Sequence, residues 1–221
     1  MTSHLPGRPD VSATSTAWVV LGAGGHARSV VDVLERVGHS VVAVSGQTGG
    51  HPWHVDVLGD DTEALALAER DGLHTCVAVG ANAARARLVA DVLARGLSSP
   101  PVVASTATVS PRSRLGAGTV VLEHAHVGPA ADLGDAVIVN TAAVVEHDCV
   151  VGAGVHVAPG AVLLGAASVG EATLVGSGAR VLPGVAVGAR VTIGSGAVVT
   201  TPVGDDQTVV GVPATRREGS S

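Results

Sequence analysis

The sequence of 221 residues contains no Phe and no Tyr, only two Trp and only two Cys. Cys76 and Cys149 are too few for a disulfide framework, so we expect both to be reduced packing residues in a cytoplasmic protein. No run of about 18 consecutive apolar residues occurs, and we therefore predict no membrane span. Basic residues are also scarce: the net charge of −6 argues against nucleic acid as a partner.

What the sequence has in abundance is a six-residue repeat. Sixteen consecutive hexads begin with Val, Leu or Ile, from Val109 to Val199. The fifth position of a hexad is nearly always small or β-branched, and Gly often follows the first position. A period of six fits neither an α-helix nor an ordinary meander of strands, but it fits a parallel β-helix whose narrow core excludes aromatic rings. With three hexads per coil, the repeat predicts about five coils.

The residues before the repeat alternate between short apolar runs and amphipathic segments. This alternation predicts a small parallel α/β domain of the nucleotide-binding, Rossmann-like type. We predict strands at 17–21, 40–44, 75–79 and 101–104, helices at 27–37, 62–70 and 83–95, and a loop at 45–59. The predicted domains are a disordered polar leader without the apolar core of a signal peptide (1–16), the α/β domain (17–104), the β-helix (105–204) and a C-terminal tail (205–221).

A glycine-rich turn, Gly22-Ala-Gly-Gly-His26, joins the first predicted strand to the first helix. Backbone N–H groups at such a helix start can hold a phosphate, and glycine lets that phosphate approach closely. The turn is only part of a dinucleotide fingerprint, because Ala27 stands at the third glycine position and Ser45-Gly46 replaces an acidic ribose partner. A simple tight turn and a phosphate or sugar-nucleotide site therefore both remain open.

His147 and Asp148 interrupt a repeat that otherwise tolerates mostly small side chains. His147 is third in its hexad, where a corner begins, so we expect its side chain to point outward. A neutral imidazole can take a proton from an amine or a hydroxyl, and a neighbouring carboxylate would orient it. His156 follows nine residues later, and its N–H could stabilise a carbonyl oxygen that gains negative charge.

Two other interpretations stay open at this point. His124 and His126 could join His147 in a three-imidazole zinc site across subunits, which would indicate a zinc-dependent, hydratase-like enzyme. Alternatively, the protein could be a non-catalytic trimer that binds nucleotide sugars, because a solenoid scaffold does not by itself imply catalysis.

Taken together, the motifs resemble the sialic acid O-acetyltransferase and UDP-amino-sugar N-acetyltransferase family, which combines hexapeptide repeats with an N-terminal nucleotide-binding domain. The resemblance extends over about residues 17–217. The motifs that carry it, in chain order, are Gly22-Ala-Gly-Gly-His26-Ala-Arg, Val79-Gly80-Ala-Asn82 with Arg85, Asn140-Thr141, Glu146-His147-Asp148-Cys149, His156-Val-Ala-Pro-Gly160 and Val210-Gly-Val-Pro-Ala214.

The resemblance implies a left-handed β-helix, a homotrimer, and acetyl-CoA as co-substrate in the groove between neighbouring β-helices, with no metal. It implies that His147 is the catalytic base, that Asp148 makes it more basic and that His156 contacts the acetyl carbonyl. By the same resemblance, Ser177 and Ser195 bind acetyl-CoA, and Gly24, Gly25, His26 and Gly80 bind the acceptor. That acceptor is a sugar, expected to be nucleotide-linked, which is acetylated on an amino or a hydroxyl group.

Overall fold

The computed structural model describes residues 17–217, so the predicted leader at 1–16 lies outside the described residues. The first half of this range folds as an α/β layer and the second half as a prism of very short parallel strands. None of the helices in the described range has the length and hydrophobicity of a membrane-spanning helix.

The N-terminal domain is built on a four-stranded parallel sheet with the strand order β3-β2-β1-β4. Its central strand β1 is apolar and almost wholly buried, as expected for a strand that is covered on both faces. Three helices connect and cover the strands. The elements are β1 (Ala17–Leu21), α1 (Gly25–Arg36), β2 (Ser40–Ser45), β3 (Asp56–Leu58), α2 (Asp61–Asp71), β4 (His74–Val77) and α3 (Asn82–Ala94).

Two strands differ from the expectations. The segment predicted as a loop at 45–59 ends in β3, whose short run Asp-Val-Leu carries too little pattern to indicate a strand. The strand predicted at 101–104 as the last of the α/β domain is β5 (Val102–Val103), and it pairs with β8 in the β-helix instead. Because Val103 precedes Val109 by six residues, β5 is in register with the hexads and forms their first rung.

The remaining strands form three parallel sheets, which are the faces of a left-handed β-helix. Face I contains β5 with β8 (Val120–Val121), β11 (Ile138–Val139), β14 (His156–Val157), β17 (Leu174–Val175), β20 (Thr192–Ile193), β22 (Thr208–Val210) and the antiparallel β23 (Thr215–Arg216). Face II contains β6 (Thr108–Val109), β9 (His126–Val127), β12 (Val144–Val145), β15 (Val162–Leu163), β18 (Arg180–Val181) and β21 (Val198–Val199). Face III contains β7 (Arg114–Leu115), β10 (Asp132–Leu133), β13 (Val150–Val151), β16 (Ser168–Val169) and β19 (Ala186–Val187).

Each rung pairs with the rung 18 residues away, as Val144 does with Val162. The additional rungs β5 and β22 lengthen the predicted five coils to about six, and β22 and β23 lie within the segment expected to be a tail. The first and fifth hexad positions point inward and are almost fully buried, for example Leu163 and Ala161 at 0% exposure. The expected core of small and branched side chains is therefore present.

The corners follow the third and fourth hexad positions. The fourth residue of hexad after hexad has a left-handed backbone, and non-glycine residues such as Ala142 (φ 55°) and Asp148 (φ 59°) adopt it as well. The fold thus has three edges, I–II, II–III and III–I, each named by the faces it separates. The N-terminal domain packs against the III–I edge, where Arg85 on α3 donates hydrogen bonds to the carbonyls of Ala136 and Gly154.

Candidate active site

The side chain of His147 projects from the II–III edge, directly after β12, and is 58% exposed. Its Nδ1 lies 2.7 Å from Oδ2 of Asp148. A carboxylate can only accept, so Nδ1 carries the proton and the lone pair of Nε2 is left for a substrate. The left-handed corner turns the Asp148 side chain back onto the ring, so two adjacent residues form the predicted acid–base pair.

Glycine on the next coil fixes where this ring lies. Gly165 stands 18 residues after His147, and a Cβ placed on it would lie 2.6 Å from both Cε1 and Nε2 of the imidazole. On the preceding coil, a Cβ on Gly128 would lie 2.7 Å from the backbone nitrogen of His147. The histidine therefore stands between two positions where a side chain would displace it.

His156 lies on face I, at the start of β14, and its tautomer is fixed by a chain of hydrogen bonds. The Asn140 carbonyl oxygen accepts from the backbone N–H of Thr141 at 2.8 Å, which orients the amide so that its nitrogen donates to Nε2 of His156 at 2.9 Å. Since Nε2 accepts, the proton of a neutral ring is on Nδ1. Burial and the nearby Arg85 lower the pKa of His156 to about 4, so the ring is neutral near pH 7.

His26 lies at the start of α1, and its Nε2 is buried without a hydrogen-bond partner among the described residues. Burial is the largest cause, followed by the charges of His156 and Arg85, that lowers the pKa of His26 to about 4. Gly80 and His156 line one cleft of about 520 Å³ between the N-terminal domain and face I. The structure thus brings together His26, Gly80 and His156 from the predicted set.

Gly24 and Gly25 form the turn that begins α1, and no side chain caps this helix. They line a second cavity, of about 440 Å³, together with Arg28 and the segment after β2 that includes Thr48, His51 and Pro52. Free N–H groups at a helix start and the absence of glycine side chains suit a phosphate here. Ser177 and Ser195 are exposed one coil apart on the I–II edge, which borders the face that carries His156.

Within one chain, His147 and His156 are not brought together. One coil takes 18 residues, so the nine residues between them correspond to half a turn of the prism. His147 is on the II–III edge, which is opposite face I and the N-terminal domain. The base and the carbonyl-binding histidine can meet only if the two come from different copies of the chain.

The proposed zinc ligands do not form a cluster either. His124 lies at a corner, His126 on face II and His147 on the II–III edge of the next coil. Residues 17–217 contain no group of three or more His, Cys, Asp and Glu side chains arranged to bind a metal ion.

Three site residues had no assigned role in the sequence. Asn140 sets the tautomer of His156, Gly165 makes room for the His147 ring, and Arg85 joins the two domains. Asn140 and Arg85 stood in the motifs that carried the resemblance, but only the structure shows what they contact. Gly165, third in its hexad exactly one coil beyond His147, could have been found from the 18-residue period alone.

Comparisons with known proteins agree with this architecture. The family model described as the PglD N-terminal domain matches residues 18–92, and the bacterial transferase hexapeptide model (six repeats) matches residues 166–201. The acetyltransferase domain of PglB from Neisseria gonorrhoeae, solved in complex with acetyl coenzyme A, is 36% identical with a TM-score of 0.87 over 92% of this chain and 100% of that chain. A search of the curated proteins found no match.

A second solved relative is PerB from Caulobacter crescentus, in complex with CoA and GDP-perosamine. It is 38% identical, with a TM-score of 0.86 over 91% of this chain and 97% of that chain. Fold and site together define a hexapeptide-repeat acyltransferase. The chain belongs to the family of sugar N-acetyltransferases in which a PglD-type N-terminal domain precedes the β-helix, and it is an acetyltransferase.

Proposed function

We propose that the protein transfers the acetyl group of acetyl-CoA to an amino group of a nucleotide-linked sugar. The observation that carries this proposal is the pair of histidines in complementary states: His147 with a free Nε2 lone pair, and His156 with a free Nδ1–H. The two relatives, solved with acetyl coenzyme A and with CoA and GDP-perosamine, support the co-substrate and an amino-sugar acceptor. The two buried, free cysteines suit a cytoplasmic protein.

In this proposal the N-terminal domain holds the acceptor. The N–H groups at Gly24 and Gly25 bind the diphosphate, and the sugar extends past His26 and Gly80 into the cleft that reaches His156. Acetyl-CoA lies along face I and the I–II edge, with its pantetheine arm near Ser177 and Ser195. The acetyl carbonyl then reaches the Nδ1–H of His156.

The chemistry follows from the two tautomers. The acceptor nitrogen attacks the thioester carbon, and Nε2 of His147 takes the proton that the nitrogen loses. Asp148 stabilises the imidazolium that forms, since its carboxylate is 2.7 Å from Nδ1. His156 donates to the tetrahedral oxyanion, which collapses to the amide and releases coenzyme A as the thiolate. Positioning supplies much of the acceleration because a thioester is already activated.

The proposed assembly is a homotrimer in which the II–III edge of one copy faces the cleft of its neighbour. The half-turn between His147 and His156 supports this arrangement, because a single copy cannot present both to one acetyl group. The trimer therefore completes the active site as well as covering apolar surface.

Mixed oligomers test the shared site. Copies that carry His147→Ala and copies that carry His156→Ala would each be inactive as pure trimers. Dissociating and reassembling an equal mixture should restore a fraction of the wild-type rate, because some interfaces then combine an intact His147 with an intact His156. No recovery from properly mixed trimers would contradict the shared site, and so would a monomer in light scattering.

The activity itself is tested by thiol release from acetyl-CoA with matched amino and hydroxyl forms of a nucleotide-linked sugar. We expect turnover with the amino form, and we expect His147→Ala to lower it about 100-fold or more if the histidine acts as a general base. Turnover of the hydroxyl form alone would indicate O-acetylation. Binding without thiol release would favour the non-catalytic trimer, and near-normal turnover of His147→Ala would remove the base assignment.

A further inference from the structure

The cavity beside the glycine turn lies where a parallel α/β domain binds a nucleoside, beyond the carboxyl ends of β1 and β2. Its side-chain polar groups are the Arg28 guanidinium, the Thr48 hydroxyl and the His51 imidazole. Among the described residues that line it, none carries a carboxylate. The cavity is therefore rich in hydrogen-bond donors and has few strong acceptors.

The end of β2 normally supplies the group that recognises a ribose, an Asp or Glu that accepts from the 2′-hydroxyl. Here Ser45 occupies that place and is 0% exposed. Its Oγ donates to Oδ1 of Asp61 at 2.6 Å and accepts from the backbone N–H of Gly22 at 3.3 Å. This hydroxyl is committed to holding the domain together, so it is not available to a nucleoside.

The segment after β2 is held over α1 by three contacts. The Arg28 guanidinium donates to the carbonyl of Pro52 at 3.0 Å and stacks on the Trp53 ring at 4.5 Å. His54 lies 2.7 Å from a carboxylate oxygen of Glu35. These contacts bring the apolar Pro52 ring to the wall of the cavity and leave other N–H groups of Arg28 to face the ligand.

The donor-rich wall discriminates between bases. Guanine presents an N1–H and an amino group and needs an acceptor such as a carboxylate, whereas the keto oxygens of thymine and uracil need donors. An apolar wall favours the methyl group of thymine, and a site without a carboxylate for the 2′-hydroxyl gains nothing from ribose.

We infer that the acceptor is a thymidine-diphosphate-linked amino sugar, with the thymidine in the cavity between Gly24–Gly25 and Thr48–Pro52. The inference rests on the proposed function for the sugar and specifies its nucleotide. PerB, with GDP-perosamine, shows that a relative of this architecture takes a guanine nucleotide, so the selectivity has to come from the segment after β2.

The test measures binding of free nucleoside diphosphates to the full-length protein by calorimetry, with no acetyl transfer involved. We expect dTDP to bind about fourfold more tightly than dUDP, which is the usual effect of one buried methyl group. UDP and dUDP should bind within about threefold of each other, and GDP most weakly. A carboxylate that recognised the ribose would instead favour UDP over dUDP by more than about tenfold.

A designed variant tests the cause. Thr48→Asp adds a carboxylate to the cavity wall and should raise the UDP-to-dUDP affinity ratio at least about fivefold, whereas Thr48→Asn should leave it near one. Tightest binding of GDP, or a wild-type preference of more than tenfold for UDP over dUDP, would overturn the inference. So would acetylation of a free amino sugar by a protein that binds no nucleoside diphosphate, although the acetyltransferase function would stand.

Discussion

The imidazoles of His26 and His156 are both kept neutral by the residues that surround them. Burial is the first cause, and the buried guanidinium of Arg85 adds to it, so that the pKa of each ring falls from 6.5 to about 4. A charged ring at either place would repel Arg85 and lose the hydrogen-bonding state that the proposed reaction uses. The site thus depends on a cation that carries no chemistry itself.

This neutrality predicts how stability depends on pH. Between pH 6.5 and 4 the unfolded chain binds protons on both histidines and the folded chain does not, so the free energy of unfolding decreases as the pH decreases. From pH 7.5 to pH 5 we expect a loss of about 2 kcal/mol for each ring. Urea unfolding at the two pH values measures it. His156→Gln should reduce the difference, and an equal difference in that variant would refute the assignment.

The position of the His147 ring depends on the absence of a side chain at residue 165. Gly165→Ala would place a methyl group 2.6 Å from Nε2 and push the ring away from its substrate. We expect about a 100-fold decrease in kcat, the usual cost of a misplacement of about 1 Å, with little change in the unfolding midpoint. Steady-state kinetics measure it, with Ala117→Ser, at the same hexad position two and a half coils away, as the control. Unchanged kcat in Gly165→Ala would mean that the ring is free to adapt.

At the level of elements, the III–I edge is the most tightly stacked part of the β-helix. Glycine occupies the second hexad position there on every coil, at Gly116, Gly134, Gly152, Gly170 and Gly188, and an added Cβ would lie 2.3–2.9 Å from an atom of the next coil. On the I–II edge the same position accepts larger side chains such as Asn140 and Ala158. The asymmetry draws the coils together where α3 packs on them.

Gly152→Ala should therefore destabilise the fold. Its Cβ would lie 2.6 Å from the backbone nitrogen of Glu171, which can move only with the coil that carries it. We expect a loss of about 1 to 3 kcal/mol, the usual cost of overpacking, measured by chemical denaturation. Gly80→Ala is the matched control, since its Cβ would meet no atom within 4 Å. Equal effects of the two substitutions would argue against close stacking.

The elements were predictable to the extent that their sequences repeat. The hexads indicated the β-helix because each leading Val, Leu or Ile had to be buried, and the structure buries them. The strand β3 could not be seen, because two of its three residues are exposed. The run at β5 was recognised as a strand but assigned to the wrong sheet, since an apolar pair carries no information about its partner.

The site was less predictable than the fold. The adjacent His147 and Asp148 could be paired from the sequence because a corner turns neighbours toward one another. The relation between Asn140 and His156 could not, since it spans 16 residues and depends on how one coil lies over the next. The expected roles of Ser177, Ser195, Gly24 and Gly25 remain predictions.

For the whole molecule, Arg85 is the main bridge between the two domains. It is 0% exposed, and its guanidinium donates to carbonyls on both sides of the junction, at Val79 and at Gly154. Burial lowers its pKa to about 10, so it still carries its charge near pH 7. The cleft with Gly80 and His156 lies at this junction, and its shape depends on the bridge.

Arg85→Lys should weaken the junction, because an ammonium cannot reach all the carbonyls that the guanidinium satisfies. We expect a loss of at least about 2 kcal/mol in the free energy of unfolding, and a larger increase in KM for the acceptor than for acetyl-CoA. Denaturation and steady-state kinetics measure both, with the exposed Arg87→Lys on the same helix as the control. Equal changes in the two KM values would argue that Arg85 only stabilises the fold.

The eighteen-residue coil has a consequence for how such chains can change length. Removing one hexad would rotate everything beyond it by a third of a revolution, and a residue on one edge would arrive at another. Removing a whole coil would shorten the prism and leave every later side chain at its original azimuth. Insertions and deletions tolerated in this gene after His156 should therefore occur in multiples of eighteen codons.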